Sequence, residues 1–169
     1  MTRSACLAGF RVLVFAIALA GLAPAAAFAQ NPPTYLRVDG VTGESTNDRH
    51  VGWIDLISYS QTVGTKACAR VVVMKYLDRS SPGLVAYAAA NTVIPTAVVE
   101  ITRGDAPQNL VFRATMEQVQ IGQTEIVEQD LVWVAEKVVL LPRLVRLQYY
   151  PQNRDGSMGS PVTSTVTCP

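Results

Sequence analysis

The chain has 169 residues, with 14 Lys and Arg against 13 Asp and Glu, so its formal charge is +1. Hydrophobic residues make up 49% of it, enough for a sizeable core. The near-zero charge and the lack of a basic cluster argue against nucleic-acid binding and against binding to an anionic membrane surface.

The first 29 residues have the pattern of a cleavable signal peptide. Arg3 and Arg11 give a positive start, Val12–Leu22 is an apolar run, and Ala27–Ala29 is a small-x-small cleavage site. A transmembrane anchor is the alternative, but the run is short for a span and no stop-transfer flank follows. We expect residues 30–169 to form one exported domain. Without the two arginines it carries 12 basic and 13 acidic residues, a formal charge of −1.

The cysteines also suit an oxidising compartment. Cys6 leaves with the signal peptide, and Cys68 and Cys168 remain. An even number of cysteines in an exported chain predicts one disulfide, Cys68–Cys168, which would tie the last strand to the body of the domain. Two free thiols or a bridge between subunits are the alternatives, because spacing alone does not show that two Cα atoms are close.

Three strands are predicted before the only helix. Tyr35–Val41 alternates between apolar and polar residues, and Val51–Val63 is rich in aromatic and β-branched residues. The third region is Lys66–Leu77, of which Arg70–Leu77 is apolar on both faces. Residues 43–50, between the first two strands, are polar and rich in turn-forming residues, which predicts a loop.

The helix is predicted over residues 82–91. Ser81 precedes Pro82, an order typical of an N-cap followed by the first helical residue. Asn91 can adopt the left-handed conformation that ends a helix, and Pro95 prevents its continuation. About ten residues are too few for a helix to persist alone, so we expect it to dock on a sheet. Its candidate apolar side consists of Leu84, Val85, Tyr87 and Ala88.

The later strands are again short apolar or alternating runs. They are predicted at Thr96–Arg103, Leu110–Glu117, Ile126–Ala135, Glu136–Leu141, Leu144–Tyr150 and Val162–Val166, the third and fourth forming either one bent strand or two. About eight strands separated by turn signals, with one short flanking helix, predict a mainly β domain, either a two-sheet barrel or a sandwich.

Catalytic chemistry has little support in the sequence. His50, the only histidine, lies in the polar loop, where we expect it to be solvated rather than a general base. Glu125, Glu128 and Asp130 could act as paired carboxylates, but an acidic run is more often a solvated loop. The acidic residues near His50 do not follow the calcium-loop spacing, and no glycine-rich loop opens a helix. We therefore predict no catalytic residue, no cofactor and no metal.

Three parts of the chain together resemble one known family. They are Val38–Thr46 with Trp53–Ser60, Lys75–Leu84, and Tyr149–Ser157, with the motifs VDGVTGEST, WIDLISYS, KYLDRSSPGL and YYPQNRDGS. In this order and spacing they are similar to the haemolysin-coregulated protein (Hcp) family, the tube protein of bacterial type VI secretion systems. The resemblance covers nearly all of residues 35–162.

This resemblance implies a two-sheet β-barrel with one flanking helix, and subunits that form hexameric rings in a Gram-negative bacterium. Such rings stack into a hollow tube that can carry small effectors. Ring closure requires a heterologous interface, in which two different surfaces of the subunit meet. Two strands that are apolar on both faces, Arg70–Leu77 and Leu131–Leu141, would have residues to bury there. The suspected interface residues are Val71, Val73, Leu77, Val132 and Val134.

The chain departs from the family in two ways. Tube subunits usually carry no cleavable signal peptide. In addition, only the short segment 61–67 lies where the family often has a longer glycine-rich loop used in stacking.

The leading hypothesis is therefore a non-enzymatic, exported structural protein, periplasmic or extracellular, whose partners are copies of itself and possible secretion components or effector cargo. The alternative is a monomeric periplasmic β-barrel that binds a small ligand or peptide. A third hypothesis, an enzyme that uses His50 or the acidic run, has the least support.

Overall fold

The computed structural model describes residues 32–64, 69–104, 110–128 and 134–168. Eight strands and one helix make up this part of the chain. In chain order they are β1 Thr34–Val38, β2 Ile54–Thr62, β3 Arg70–Tyr76, α1 Ser81–Ala89, β4 Ile94–Thr102, β5 Leu110–Glu128, β6 Val134–Leu141, β7 Leu144–Tyr149 and β8 Val162–Thr167. The predicted class, mainly β with one short helix, is confirmed.

Six of the strands close into a barrel. Their order is β4-β1-β2-β3-β6-β5, and β5 pairs back with β4, every pair being antiparallel. Of the two architectures that the sequence left open, the barrel is the one observed. Closure matters physically because it leaves few unpaired backbone groups along the strands.

Strand β5 is long because it pairs with a different strand in each half of the barrel. Residues 110–119 pair with β4, and residues 120–128 pair with β6. Gln118 has a positive φ of 52°, and the register of the β5–β6 pair shifts between Ile121 and Gln123. Such irregularities bend a strand, which allows β5 to continue from one sheet into the other.

The last two strands extend outside the closed barrel. β7 pairs with the first half of β5 on the side opposite β4, and β8 pairs with β7. The side chains of β8 are exposed on both faces apart from a half-buried Val166. β8 therefore has little share in the core, whereas β7 contributes Val145, which has no exposed area.

The barrel core is built by alternation along the strands. On β3, Val71 and Val73 have no exposed area, whereas Val72 and Met74 between them face outwards and are half-buried. Opposite strands add residues of the same kind. The largest apolar side chains that are fully buried include Leu36, Ile54, Leu84, Ile94, Met116 and Leu140.

The helix docks on the barrel as expected, but it begins differently. Leu84 is fully buried in the core, and Val85, which the sequence placed on the same side, is 44% exposed. Ser80, not Ser81, is the N-cap residue, and its hydroxyl does not cap the helix. Instead, the carboxylate of Asp78, two residues before Ser80, accepts the backbone N–H of Ser80 at 2.8 Å.

The predicted end of the helix is confirmed. Asn91 has a φ of 49°, in the left-handed region. The N–H groups of Asn91 and Thr92 donate to the carbonyls of Ala88 and Tyr87, at 3.2 and 3.0 Å. This is the hydrogen-bond pattern of a Schellman motif, which satisfies carbonyls that would otherwise lack a partner at the helix end.

One predicted strand is wrong. The run Ile126–Ala135 does not form a single strand, because β5 already extends to Glu128 and β6 starts at Val134 to pair back along it. The second strand starts at Ile54 rather than Val51, since the chain turns at 51 and 52. Within the described ranges, no helix is long and apolar enough to cross a membrane.

Candidate functional site

His50 is buried, contrary to the expectation of a solvated loop residue. It is only 3% exposed, and its ring stacks on Tyr35, with 3.9 Å between centroids and 6° between planes. Trp53 meets the same ring edge-on at 4.8 Å. The polar loop 43–53 has folded over the outer face of β1, which is why a polar sequence contains a buried histidine.

Both nitrogens of His50 have partners. Nδ1 lies 3.0 Å from Oδ1 of Asn47, and Nε2 lies 2.8 Å from Oε2 of Glu100 on β4. The other carboxylate oxygen of Glu100 accepts a hydrogen bond from Nε of Arg113 at 2.7 Å. The chain His50–Glu100–Arg113 links the loop to β4 and β5. Both oxygens of Glu100 therefore have partners, and its carboxylate orients His50 and Arg113.

An open pocket lies beside this chain of contacts, between loop 43–53 and the outer face of β1, β4 and β5. Its volume is about 570 Å³, and three arginines line it together with Glu100 and Trp53. The arginines are Arg37 on β1, Arg49 in the loop and Arg113 on β5. We call this cavity the arginine pocket.

A second polar cluster is buried at one end of the barrel. Nζ of Lys75, with no exposed area, lies 2.8 Å from Oδ1 of Asp78 and 3.2 Å from Oε2 of Glu136. It also donates to the hydroxyl of Ser81 and to the carbonyl of Tyr76, both at 2.8 Å. Through Lys75 the cluster connects the turn before α1, which contains Asp78, to β3 and β6. Its geometry indicates a structural role.

The suspected interface residues separate into two groups. Val71 and Val73 point into the barrel and have no exposed area, because inward positions on β3 recur at every second residue. They are therefore not available to a partner. Leu77 and Val134 are 42% and 39% exposed and lie together, since the N–H of Leu77 donates to the carbonyl of Val134 at 3.1 Å. Val132 lies outside the described residues.

The two described residues of the acidic run lie on a strand and not in the loop that the sequence suggested. Glu125 lies on β5, and its carboxylate accepts a hydrogen bond from Nζ of Lys137 on β6 at 2.9 Å. Glu128 is the last residue of β5, and Asp130 lies outside the described residues. Within the described ranges, no group of three or more His, Cys, Asp or Glu side chains could hold a metal ion.

Of the two cysteines in the predicted disulfide, the structure describes only Cys168. Cys168 is 7% exposed, and its N–H donates to the carbonyl of Arg143 at 2.7 Å. Cys68 lies outside the described residues, as do residues 1–29 with the predicted signal peptide. Both remain predictions.

Two strand edges carry backbone groups that the described strands do not pair. β8 pairs only with β7 among the described strands, and its sequence VTSTVT has no charge and no proline. Residues 120–128 of β5 pair with β6 on one side, while β4 ends its pairing at Val119. Open edges of this kind are sites where another strand can add.

Sequence reasoning missed the arginine pocket. Glu100 and Arg113 were visible only as outward positions of alternating strands. Their pairing depends on the β4–β5 register, in which Glu100 is directly opposite Arg113. The available signal was an arginine and a glutamate at outward positions of neighbouring strands. It predicts a contact only when the alignment of the two strands is known.

Comparison with known proteins agrees with this barrel. The family described as "Type VI secretion system effector, Hcp" matches residues 35–149. No curated protein matches the sequence.

Solved structures with a similar fold include Hcp1 from Salmonella typhimurium, with a TM-score of 0.68, 22% identity and coverage of 80% of this chain and 94% of that one. A type VI secretion system effector from Yersinia pestis has a TM-score of 0.70 and 16% identity, covering 79% and 98%. The secreted protein Hcp3 from Pseudomonas aeruginosa has a TM-score of 0.64 and 14% identity, covering 82% and 99%. At these identities the structures establish the fold. The family match extends over more than half of the chain, and the chain therefore belongs to the Hcp family.

Proposed function

We propose that the protein is a non-enzymatic, exported structural subunit that assembles with copies of itself into rings, most simply hexamers. The observation that carries the proposal is the pair of open strand edges on an otherwise closed Hcp-family barrel. Hexamers and a role beside secretion components or effector cargo are what the family resemblance implies.

The two edges differ from each other, as a ring requires. A cyclic assembly larger than a dimer joins two different surfaces of each subunit, and the rotation between subunits closes the ring. β8 offers one surface on the two-strand extension, and residues 120–128 of β5 offer another at the far half of the barrel. Addition of one edge to the other would satisfy backbone groups on both.

Exposed apolar side chains near the second edge support the same proposal. Leu77 and Val134 are 42% and 39% exposed, and Ile126 on β5 is 64% exposed. They lie at the same end of the β3–β6–β5 sheet, and Val134 and Ile126 share one face of it, because Ile126 is opposite Glu136 and Val134 is two residues from Glu136. Burial of this patch against a neighbour would contribute free energy in proportion to the apolar area removed from water.

Export rests on the sequence of residues 1–29, and we place the mature protein in the periplasm or outside the cell. A Cys68–Cys168 disulfide would suit that compartment. Non-reducing mass spectrometry of the exported protein tests both statements. The expected product begins at Gln30 and is two hydrogens lighter than the reduced chain. A product that retains residues 1–29 would contradict cleavage.

Light scattering of the protein purified from the exported fraction tests ring assembly. We expect a mass near six protomers, and Leu77→Asp should reduce it to that of smaller species. Val51→Asp is the matched control, because Val51 is 70% exposed in the loop, away from both edges. A monomeric wild-type protein, or assembly that survives Leu77→Asp unchanged, would overturn the ring proposal.

One observation favours the second candidate, a monomeric binding module. The arginine pocket is present within a single chain and needs no neighbouring subunit to complete it. A monomer that melts at a higher temperature with a bound ligand would support this function instead.

A further inference from the structure

The arginine pocket carries an excess of positive charge that the described residues do not neutralise. Glu100 accepts from Arg113 and contacts His50, so its charge is matched within the pocket wall. Arg37 and Arg49 are exposed, and neither forms an ion pair with an acidic side chain among the described residues. Two guanidinium groups are thus free to receive an anion.

The pocket wall holds its side chains in place. The guanidinium of Arg37 lies over the ring of Trp53, 5.3 Å from its centroid. Trp53 in turn contacts His50, which is itself fixed by stacking on Tyr35. A guanidinium held over an aromatic ring loses less freedom when it binds a ligand than one that moves freely in water.

The loop that carries Arg49 is also tied down. Ser45 and Trp53 are joined by a backbone hydrogen bond of 2.9 Å, and Gly43 donates to Gly52 at 2.8 Å. The N–H of Arg49 itself donates to Oδ1 of Asn47 at 3.2 Å. The loop therefore forms a folded hairpin that places Arg49 at the pocket.

The spacing of the strands limits the ligand. Arg37 on β1 and Arg113 on β5 lie on either side of β4, with Val98 and Glu100 between them. Neighbouring strands are about 4.8 Å apart, so the two backbones are separated by about 10 Å. A molecule with oxyanion groups at both ends can contact both arginines from a position over β4, where Val98 offers it an apolar floor.

We propose that the arginine pocket binds a small organic polyanion that carries two or more carboxylate or phosphate groups. Arg37 and Arg49 supply the unpaired positive charges, and Nη2 of Arg113, which contacts neither Glu100 nor Tyr150, donates to the far end of the ligand. Arginine suits this role because its planar guanidinium donates paired hydrogen bonds to carboxylate and phosphate oxygens. The site is complete in one chain, so the proposal does not depend on ring assembly.

Titration calorimetry on the full protein at constant ionic strength tests the proposal. Citrate and succinate represent carboxylates, pyrophosphate represents phosphates, and acetate is the monovalent control. We expect saturable binding of at least one polyvalent probe and none of acetate. The stronger of citrate and pyrophosphate identifies the oxyanion. An equal response to all four probes, or to none of them, would overturn the proposal.

Two variants locate the site. Arg37→Gln and Arg49→Gln should each weaken binding roughly tenfold, since each removes a charge-assisted hydrogen bond. Both side chains are exposed, so the fold does not depend on them. Arg154→Gln is the control, because it removes the same charge from an exposed position on another loop. If Arg154→Gln weakens binding as much as the pocket variants do, general electrostatic attraction accounts for the binding and the site is refuted.

Discussion

Lys75 and Glu136 lie directly opposite each other on β3 and β6, with Nζ 3.2 Å from Oε2 and almost no exposed area on either side chain. Asp78 is a second carboxylate on the same ammonium group. Oε1 of Glu136 has no hydrogen-bond partner among the described residues. Two carboxylates thus share one buried lysine, and the cluster depends on that lysine.

Lys75→Met should lower the free energy of unfolding by about 3–5 kcal/mol, because it leaves Glu136 buried without a counter-charge. Lys137→Met is the matched control on the neighbouring position of β6. The side chains of Lys137 and Glu125, which form an ion pair, are 35% and 46% exposed. The expected loss of unfolding free energy is therefore below about 1 kcal/mol. Urea unfolding measures both. Adding Glu136→Gln to Lys75→Met should restore part of the loss, and equal losses for the two lysine variants would contradict this account.

His50→Phe keeps an aromatic ring stacked on Tyr35 but leaves one oxygen of Glu100 without its partner and removes one of the two hydrogen bonds that Oδ1 of Asn47 accepts. We expect it to cost about 2–4 kcal/mol of unfolding free energy, as two part-buried hydrogen bonds are lost, one of them to a carboxylate. Asp48→Ala, an exposed change in the same loop, should stay within about 0.5 kcal/mol. Denaturant titration followed by tryptophan fluorescence gives both values. A His50→Phe protein as stable as the parent would mean that the loop contacts contribute nothing.

Gly43→Ala should be among the most damaging single-methyl changes in the chain. A Cβ at this position would overlap the carbonyl oxygen of Trp53 and lie 2.8 Å from Cα of Ile54, both backbone atoms that cannot rotate away. We expect a loss of about 3 kcal/mol or more in unfolding free energy. Gly64→Ala meets no atom within 4 Å and should change stability by less than about 1 kcal/mol, in the stabilising direction. Thermal unfolding compares the stability of the two variants. If Gly43→Ala does not change the unfolding temperature, the loop can move to accommodate the methyl group.

Burial raises the pKa of Tyr59 well above its ordinary value of 10.0. The unfolded chain therefore loses this proton before the folded chain does, and the stability present below pH 10 decreases as the pH rises above it. Tyr59→Phe should make this decrease shallower, by no more than about 1.4 kcal/mol per pH unit. Tyr149→Phe is the control, since that side chain is 47% exposed. Urea titrations from pH 9 to 11 measure the unfolding free energy as a function of pH. Equal pH slopes for Tyr59→Phe and the parent protein would refute a role of Tyr59 in this decrease.

The local elements of this fold could be read from the sequence, because alternation and turn residues act over a few positions. The helix, its end at Asn91 and the number of strands follow from such signals. The length of β5 does not, since Gly122 and the irregular Gln118 look like breaks when the partner strand is unknown. Only the pairing with β6 shows that the strand bends instead of ending.

The candidate site was predictable only in part, for a related reason. A polar loop normally indicates solvent exposure, and nothing near His50 in the sequence shows that Tyr35 and Glu100 will cover it. Those contacts connect residues that are 50 positions apart for His50 and Glu100. The inward direction of Val71 and Val73 was likewise hidden, because every residue from 71 to 74 is apolar and either face of the strand could be the inner one.

The barrel closes through contacts between distant parts of the chain, and this has a kinetic consequence. β3 reaches β6 across 61 positions at Lys75 and Glu136, and β1 pairs with β4, so the pairs of sequential strands cannot close the cylinder alone. Such a topology must close long loops before it gains contacts, and comparable domains fold over milliseconds to seconds. Newly made chains should therefore stay unfolded longer than a helical protein of this size, a delay that stopped-flow refolding can measure directly.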